Sequence, residues 1–323
     1  LKRFSVYIFI FLFITSCSVK ESGNTLRLAH ALDVNHSVHK AMLRMGEELE
    51  KMSNGKLKLQ IYPSQQLGSE RELLELLQLG SIDITKTSAA VVESFSPEYK
   101  VFSIPYLFKS NEHMLKVLNG DIGDRILNSS VEFNFRGLSY YDAGKRSFYT
   151  KDRRVEVPSD LEGLKVRVQA SNTAIQMVNN YGAAATPIPF GELYSALQQG
   201  VVDAAENNLP SFYLTRHYEV CKYYILNEHT TVPDILMIGE ITWNRLSNEE
   251  KGWVKAAAEI SKIYQFELWS ESEKEALEAV KEAGIEIIYP DKTPFIEGAQ
   301  PMVDKMLEDP VLRNLYNEIQ KLD

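Results

Sequence analysis

A twelve-residue pattern occurs twice, as Glu72-Leu-Leu-Glu-Leu-Leu-Gln-Leu-Gly-Ser-Ile-Asp83 and as Glu192-Leu-Tyr-Ser-Ala-Leu-Gln-Gln-Gly-Val-Val-Asp203. Both copies read ELxxxLQxGx(I/V)D. In each, leucines at helical spacing run into a glycine, the residue that most readily takes the left-handed conformation ending a helix, and an apolar strand follows. The copies begin 120 residues apart, too far for stacked solenoid repeats. Two lobes built on one helix-to-strand unit is the simplest account, and chance likeness between two ordinary connections is the other. A chain of 323 residues can fill roughly two cores.

The second copy lies inside Leu164 to Asn208, which alternates strand, helix, strand, helix, strand. Its first strand, Lys165–Val168, holds Arg167 among residues that would otherwise be buried, and a buried guanidinium requires a partner. A helix then stops at Gly182. In Thr186-Pro-Ile-Pro-Phe190 two prolines fix an extended backbone and present an aromatic ring. Val201 to Asn208 runs as a strand into a polar turn. Strand ends in such α/β units are where ligands bind, and a guanidinium offers two parallel donors matched to a carboxylate.

With Arg167 in LKVRVQ, Phe190 in TPIPFGELYSALQQGVVDAAEN and Asn207 in the final EN pair, the chain resembles the extracytoplasmic solute-binding subunits of tripartite ATP-independent periplasmic (TRAP) transporters. The resemblance covers essentially the whole chain after its leader. It implies an α/β, two-lobed periplasmic-binding-protein-like fold, each lobe a sheet flanked by helices, joined by crossing strands and one long bracing helix. It implies further that Arg167 forks onto the carboxylate of an organic acid, that Asn207 and Phe190 line the pocket, and that Arg146 in GKRSFYT assists. The implied partners are a small carboxylated solute and the small and large integral membrane subunits. No cofactor, metal or nucleic acid is implied. The other reading of Arg167 is a structural salt bridge to an acid of its own chain.

The remaining pattern fills in two lobes. Strands are expected at Leu26–Leu32, Lys56–Tyr62 and Ile82–Ala89, with helices at His36–Met52 and Glu70–Leu79. Val101–Phe108 reads as an edge segment, and His113–Leu118 and Gly120–Leu127 as helices. Gly137–Tyr149 is expected as one long strand crossing between lobes, and Thr230–Asp234, between strands Cys221–His229 and Ile235–Trp243, as a second crossing. Ser247 and Glu250 form a capping box. The helix that follows runs to Ala283, either unbroken along both lobes or as two helices meeting near Ser270. Lobe I is assigned 25–143 and 233–270, and lobe II 144–232 and 271–323. Lys86, Ser88, Glu70, His36 and Asp234 are the polar residues expected from lobe I at the ligand, and Asn208 joins Asn207 from lobe II. The crossing strands serve as hinge, and closure around the ligand is the signal read at the membrane.

Other chemistry is sparse. GxGxxG, P-loop, GxSxG and HExxH motifs are absent. His36 and His39 lie three apart without a supporting carboxylate, so a helix-start contact is the expectation there rather than a metal. Glu70, Glu72 and Glu75 read as a solvated face. A secreted enzyme acting on an organic acid is the alternative class, and it would need a nucleophile or base beside Arg167. Polar groups suited to ring hydroxyls, and the likeness of TKTSAAVVESFSPEYKVFSIPYLF and AENNLPSFYLTRHYEV to the branch taking sugar acids, point to glucuronate or galacturonate. A C4-dicarboxylate, with Lys86 as its second clamp, is the runner-up.

Phe4 to Ile14 is an apolar run of signal-peptide length, and Ile14-Thr-Ser-Cys17 resembles the bacterial lipobox. Residues 1–16 are therefore expected to be a signal peptide and 17–24 a lipidated tether, leaving an exported, periplasmic, lipid-anchored protein. An ordinary exported protein with a fortuitous cysteine is the other possibility. The formal net charge of −9 becomes more negative without Lys2 and Arg3, which disfavours nucleic acid as a partner and requires any anion site to be locally cationic. Cys221 is the one cysteine besides Cys17, so no intramolecular disulfide is expected. Replacing Cys17 with Ser should release the protein from membranes into the soluble fraction, which fractionation of expressing cells would detect.

Overall fold

The computed structural model describes residues 24–322. The expected leader, Cys17 and nearly all of the tether lie outside them. Eleven strands, β1 (Asn24–Ala29), β2 (Leu57–Tyr62), β3 (Ile84–Ser88), β4 (Phe135–Tyr141), β5 (Arg146–Thr150), β6 (Lys165–Val168), β7 (Ala184–Pro187), β8 (Ala204–Asn207), β9 (Tyr223–Thr230), β10 (Asp234–Gly239) and β11 (Glu286–Ile288), form two sheets. The first has the order β2-β1-β3-β10-β4 and the second β11-β9-β5-β8-β6-β7. In each, parallel βαβ pairs (β1 with β2 and β3; β6 with β7 and β8) adjoin a strand running the other way. Helices flank both sheets, giving the two-lobed α/β architecture.

The repeated pattern is one structural unit used twice. Gly80 and Gly200 take φ of 68° and 73°, ending the two helices, and β3 and β8 follow. Each copy's aspartate then docks on the neighbouring parallel strand in the same way. The Asp83 N–H donates to the carbonyl of Arg27 while its carboxylate accepts from the Arg27 N–H, and Asp203 does both with Lys165. Arg27 and Lys165 are the equivalent residues of β1 and β6.

The chain passes between sheets at Asp142–Lys145 and again between β9 and β10. The expected single strand Gly137–Tyr149 is therefore two strands with a tight turn between them. The turn is held by the Asp142 carboxylate, which accepts from the Gly144 N–H, and by the Gln265 side chain, which bonds both the N–H and the carbonyl of Asp142. Gly144 has φ of 60°, and a Cβ there would lie 2.6 Å from Glu273 Oε1 and 3.0 Å from the Trp269 ring, so only glycine fits.

Gln265, Trp269 and Glu273 belong to the helix Asn248–Glu282, whose 35 residues run unbroken past Ser270 behind the Ser247–Glu250 capping box. It packs on Ser37–Met52 of the first lobe and on Leu209–Leu214 of the second, bracing both. Its buried face carries small residues, Ala257, Ala258, Ser261 and Ala276, which allow close approach.

Three expectations are corrected. Pro97–Ser103 is a 3₁₀ turn rather than the start of an edge segment. The strand expected to reach Trp243 ends at Gly239, where a Cβ would meet the Leu77 carbonyl at 2.8 Å, and Glu240–Arg245 is helical. The final helix, Pro310–Gln320, assigned with 271–323 to lobe II, packs on first-lobe elements. Glu318 pairs with Arg125, the Ile319 carbonyl meets His113 Nε2, and the Gln320 amide donates to the Leu107 carbonyl.

Burial, then the charge of Asp142, raise the Glu273 carboxyl from 4.5 to about 7; Lys145 and Glu228 also face it. Over that window the native state holds a proton that the unfolded chain has released, so stability falls as pH rises from 4.5 through 7. Glu273→Gln should therefore raise Tm by roughly 3 °C at alkaline pH and leave it unchanged in acid, as scanning calorimetry would show.

Candidate functional site

Alternation on β6 sends Val166 and Val168 into the core and Arg167 to the opposite face, at the carboxyl end of the second sheet. Arg167 is 2% exposed. Its Nε donates to the Ile188 carbonyl at 2.8 Å and its guanidinium lies 5.8 Å from the Phe190 ring, which the prolines at 187 and 189 place there. Among the described residues no carboxylate pairs with it, and Nη1 is buried without a hydrogen-bond partner. Burial pushes its pKa below the usual arginine range. The salt-bridge reading of Arg167 is not what the structure contains.

Arg146 behaves oppositely. It forks onto the Glu206 carboxylate, donates to the Glu206 carbonyl and reaches Asn207 Oδ1 at 2.9 Å. Burial alone would raise the Glu206 carboxyl, but Arg146 and then His229 hold it down at about 2. The charge of Arg146 is therefore matched, and it orients Asn207 rather than standing open to an anion. Asn207 Oδ1 also accepts from the Asn208 N–H, which leaves its NH₂ group without a protein partner among the described residues. Asn208, expected at the ligand, is consumed structurally: its Oδ1 caps the helix Leu209–Leu214 and its NH₂ group donates to the Ala143 carbonyl beside the crossing turn.

On the first lobe, Lys86 of β3 lies between Glu70, at the start of the helix Glu70–Gln78, and Asp234, at the start of β10. Nζ is 3.0 Å from each carboxylate. Burial would lower the Lys86 ammonium, yet Asp234 and Glu70 hold it above its ordinary value. It is thus not an open clamp, and Glu70 faces inward rather than lying on a solvated face. His36 caps the helix Ser37–Met52 through Nδ1, as expected for a helix start, and its Nε2 lies 3.5 Å from Ser211 of the second lobe. Burial, followed by the charge of Lys86, lowers His36 to about 3 and His30 to about 2, so both rings are neutral. His39 hydrogen-bonds His30 rather than converging with His36 on a metal.

The lobes meet across the cleft. Ser88 Oγ lies 3.4 Å from Gln169 Oε1, the Gly191 N–H donates to Gln65, and Glu93 accepts from Ser171 Oγ and the Thr173 N–H. Between them is a cavity of about 140 Å³, lined by Glu70 and Arg71 from one lobe and Arg167, Gln169, Ile188 and Phe190 from the other. Larger grooves of about 690 Å³ and 620 Å³ flank the long helix. A further groove of about 350 Å³ lies beside the crossing turn, lined by Asp142, Lys145, Glu228 and Glu273. The smaller interlobe cavity is the one of these lined by a buried guanidinium without a charge partner among the described residues, and it is the candidate site.

Sequence reasoning missed Glu206, Gln169 and Glu93. Glu206 had a readable signal, a lone acid in the buried strand AAEN facing a lone arginine in the strand RSFYT. Gln169 and Glu93 had none, because their roles arise only where the lobes touch.

A model of the bacterial extracellular solute-binding proteins, family 7, matches residues 28–309. The chain is 40% identical over 310 residues to the protein YiiZ of Salmonella typhimurium, covering 95% of this chain and 94% of that one. Among solved structures, it is similar to a TRAP periplasmic solute-binding protein of Anaerococcus prevotii with bound glucuronate, at 38% identity and a TM-score of 0.90, covering 92% and 97% of the two chains. A TRAP periplasmic solute-binding protein of Xanthobacter autotrophicus with bound β-D-galacturonate gives 36% and 0.90, covering 92% and 100%.

An unpaired buried guanidinium destabilises the fold that holds it. Arg167→Met should raise the Tm of the protein without ligand by roughly 3 °C, and thermal denaturation of purified wild type and variant would show it.

Proposed function

Since the chain belongs to the bacterial extracellular solute-binding proteins of family 7, we propose that it captures a hexuronate, glucuronate or galacturonate, and delivers it to the membrane subunits of a TRAP transporter. The observation that carries this reading is the buried Arg167 guanidinium, with a free Nη1 and no acid partner among the described residues, lining the interlobe cavity. A ligand carboxylate would supply the missing charge and accept the parallel donors. The free NH₂ group of Asn207, fixed by Arg146, suits an acceptor on the same ligand, and Phe190 offers an apolar face. Hydroxyl-bearing carbons suit Glu70 and Gln169. Hexuronates bound by neighbours of 36–38% identity support the ligand class.

Capture follows from differential contact. The second lobe holds the carboxylate, the first lobe completes the cavity, and a ligand touching both favours the hinge angle at which the lobes meet. The turns at Asp142–Lys145 and Thr231–Pro233 would bend while each sheet stays intact. The division proposed is lobe I from 25–143, 233–270 and the last helix, and lobe II from the rest of 144–309. The membrane partners are the small and large integral subunits, and Cys17 lipidation would keep the protein beside them in the periplasm. The C4-dicarboxylate alternative loses its main support, because the cation meant for the second carboxylate, Lys86, is already enclosed by Glu70 and Asp234.

Glucuronate or galacturonate should raise Tm where succinate at equal concentration does not. Arg167→Lys should weaken hexuronate binding about thirtyfold, roughly 2 kcal/mol, because a point ammonium cannot reproduce the fork. Calorimetric affinity of a folded variant equal to wild type would overturn Arg167 as the carboxylate site.

A further inference from the structure

We propose that the ion triplet Glu70–Lys86–Asp234 is a charge filter, admitting ligands with one carboxylate and rejecting those that carry a second at the end away from Arg167. This rests on the hexuronate reading and adds what the first lobe discriminates against. Hexuronates and hexarates make the natural contrast, since oxidation of the far carbon adds the second carboxylate; it also removes the hemiacetal ring, so the variants rather than the wild-type ratio isolate the charge.

The geometry is asymmetric across the cavity. Arg167 brings an unmatched positive charge from the second lobe, whereas Glu70 lines the same cavity from the first. Behind Glu70, two carboxylates flank one ammonium, so the triplet carries one net negative charge when both are ionised; burial raises the Asp234 carboxyl, while Lys86 and then Arg146 act to keep it ionised. The triplet is buried: Lys86 is 2% exposed, so water and salt screen its charge weakly. The neighbouring rings of His30 and His36 are neutral and cannot offset it. Arg71, the other first-lobe cation at the cavity, is half exposed, pairs with Glu75 at 3.2 Å and lies over Phe95.

Hydrogen bonding has the same sense. Only one oxygen of each carboxylate is engaged by Lys86, and the others, Glu70 Oε2 and Asp234 Oδ1, have no protein donor among the described residues. Carboxylate oxygens accept and never donate when ionised, so they match hydroxyl groups and oppose a second carboxylate. Lys86 has three N–H donors, of which two are used. Lys86 lies behind Glu70 rather than in the cavity lining, and the charge it would bring to a carboxylate is already met by two acids.

The experiment is calorimetric titration of the full-length protein, purified in detergent, with galacturonate against galactarate and glucuronate against glucarate. Wild type should prefer the hexuronate at least a hundredfold. Asp234→Asn and Glu70→Gln each remove one negative charge and leave Lys86 one acid partner; each should narrow that preference at least tenfold by gaining hexarate affinity. A merely structural role would weaken both ligands alike and leave the ratio unchanged, which overturns the filter. So does a wild type that binds galactarate within threefold of galacturonate, a result needing no variant to fold. Absence of binding by both hexuronates, in contrast, overturns the hexuronate reading itself.

Discussion

One buried guanidinium, without a carboxylate partner among the described residues, organises the second lobe. Arg167 reaches its position because strand alternation gives Val166 and Val168 to the core and leaves the residue between them on the other face. It is tolerated there by partial measures, a backbone carbonyl and an aromatic face, neither of which neutralises it. A fold selected only for stability would not keep such a group. The nearby Arg146 shows the difference, since Glu206 matches it fully and its role becomes that of holding Asn207 in place.

The first lobe answers with the opposite sign. Its conspicuous cation, Lys86, is enclosed by two acids, so the wall facing Arg167 is rich in acceptors. A cavity with unmatched positive charge at one side and excess acceptor capacity at the other is complementary to a ligand that has one acid group and many hydroxyls. Each half of that complementarity comes from a different lobe, so a ligand that touches both favours the arrangement in which the lobes meet.

Hinge and brace share residues. Gln265, Trp269 and Glu273 lie at intervals of four on the long helix, one face of which meets the crossing turn at Asp142–Gly144. The helix that spans both lobes is thereby tied to the segment that connects them. The absence of a side chain at Gly144 makes the close approach possible.

The sequence by itself determined the doubled α/β unit, the helix start at its capping box and an arginine out of place in an apolar strand, because each rests on local chemistry: helical or strand periodicity, a glycine stop, a cap. Asn207, Phe190 and a single helix bracing both lobes were legible through the family resemblance alone. What only the tertiary structure decided was which charges are already spent. Lys86 and Arg146 read as open cations, and Asn208 as an open amide. Their partners Glu70, Asp234, Glu206 and the Ala143 carbonyl come from distant segments, the nearest of them 16 residues away and the farthest 148. Sequence periodicity reports the face on which a side chain lies. Whether its charge is free depends on groups that folding brings within 3 Å, and no local pattern encodes them.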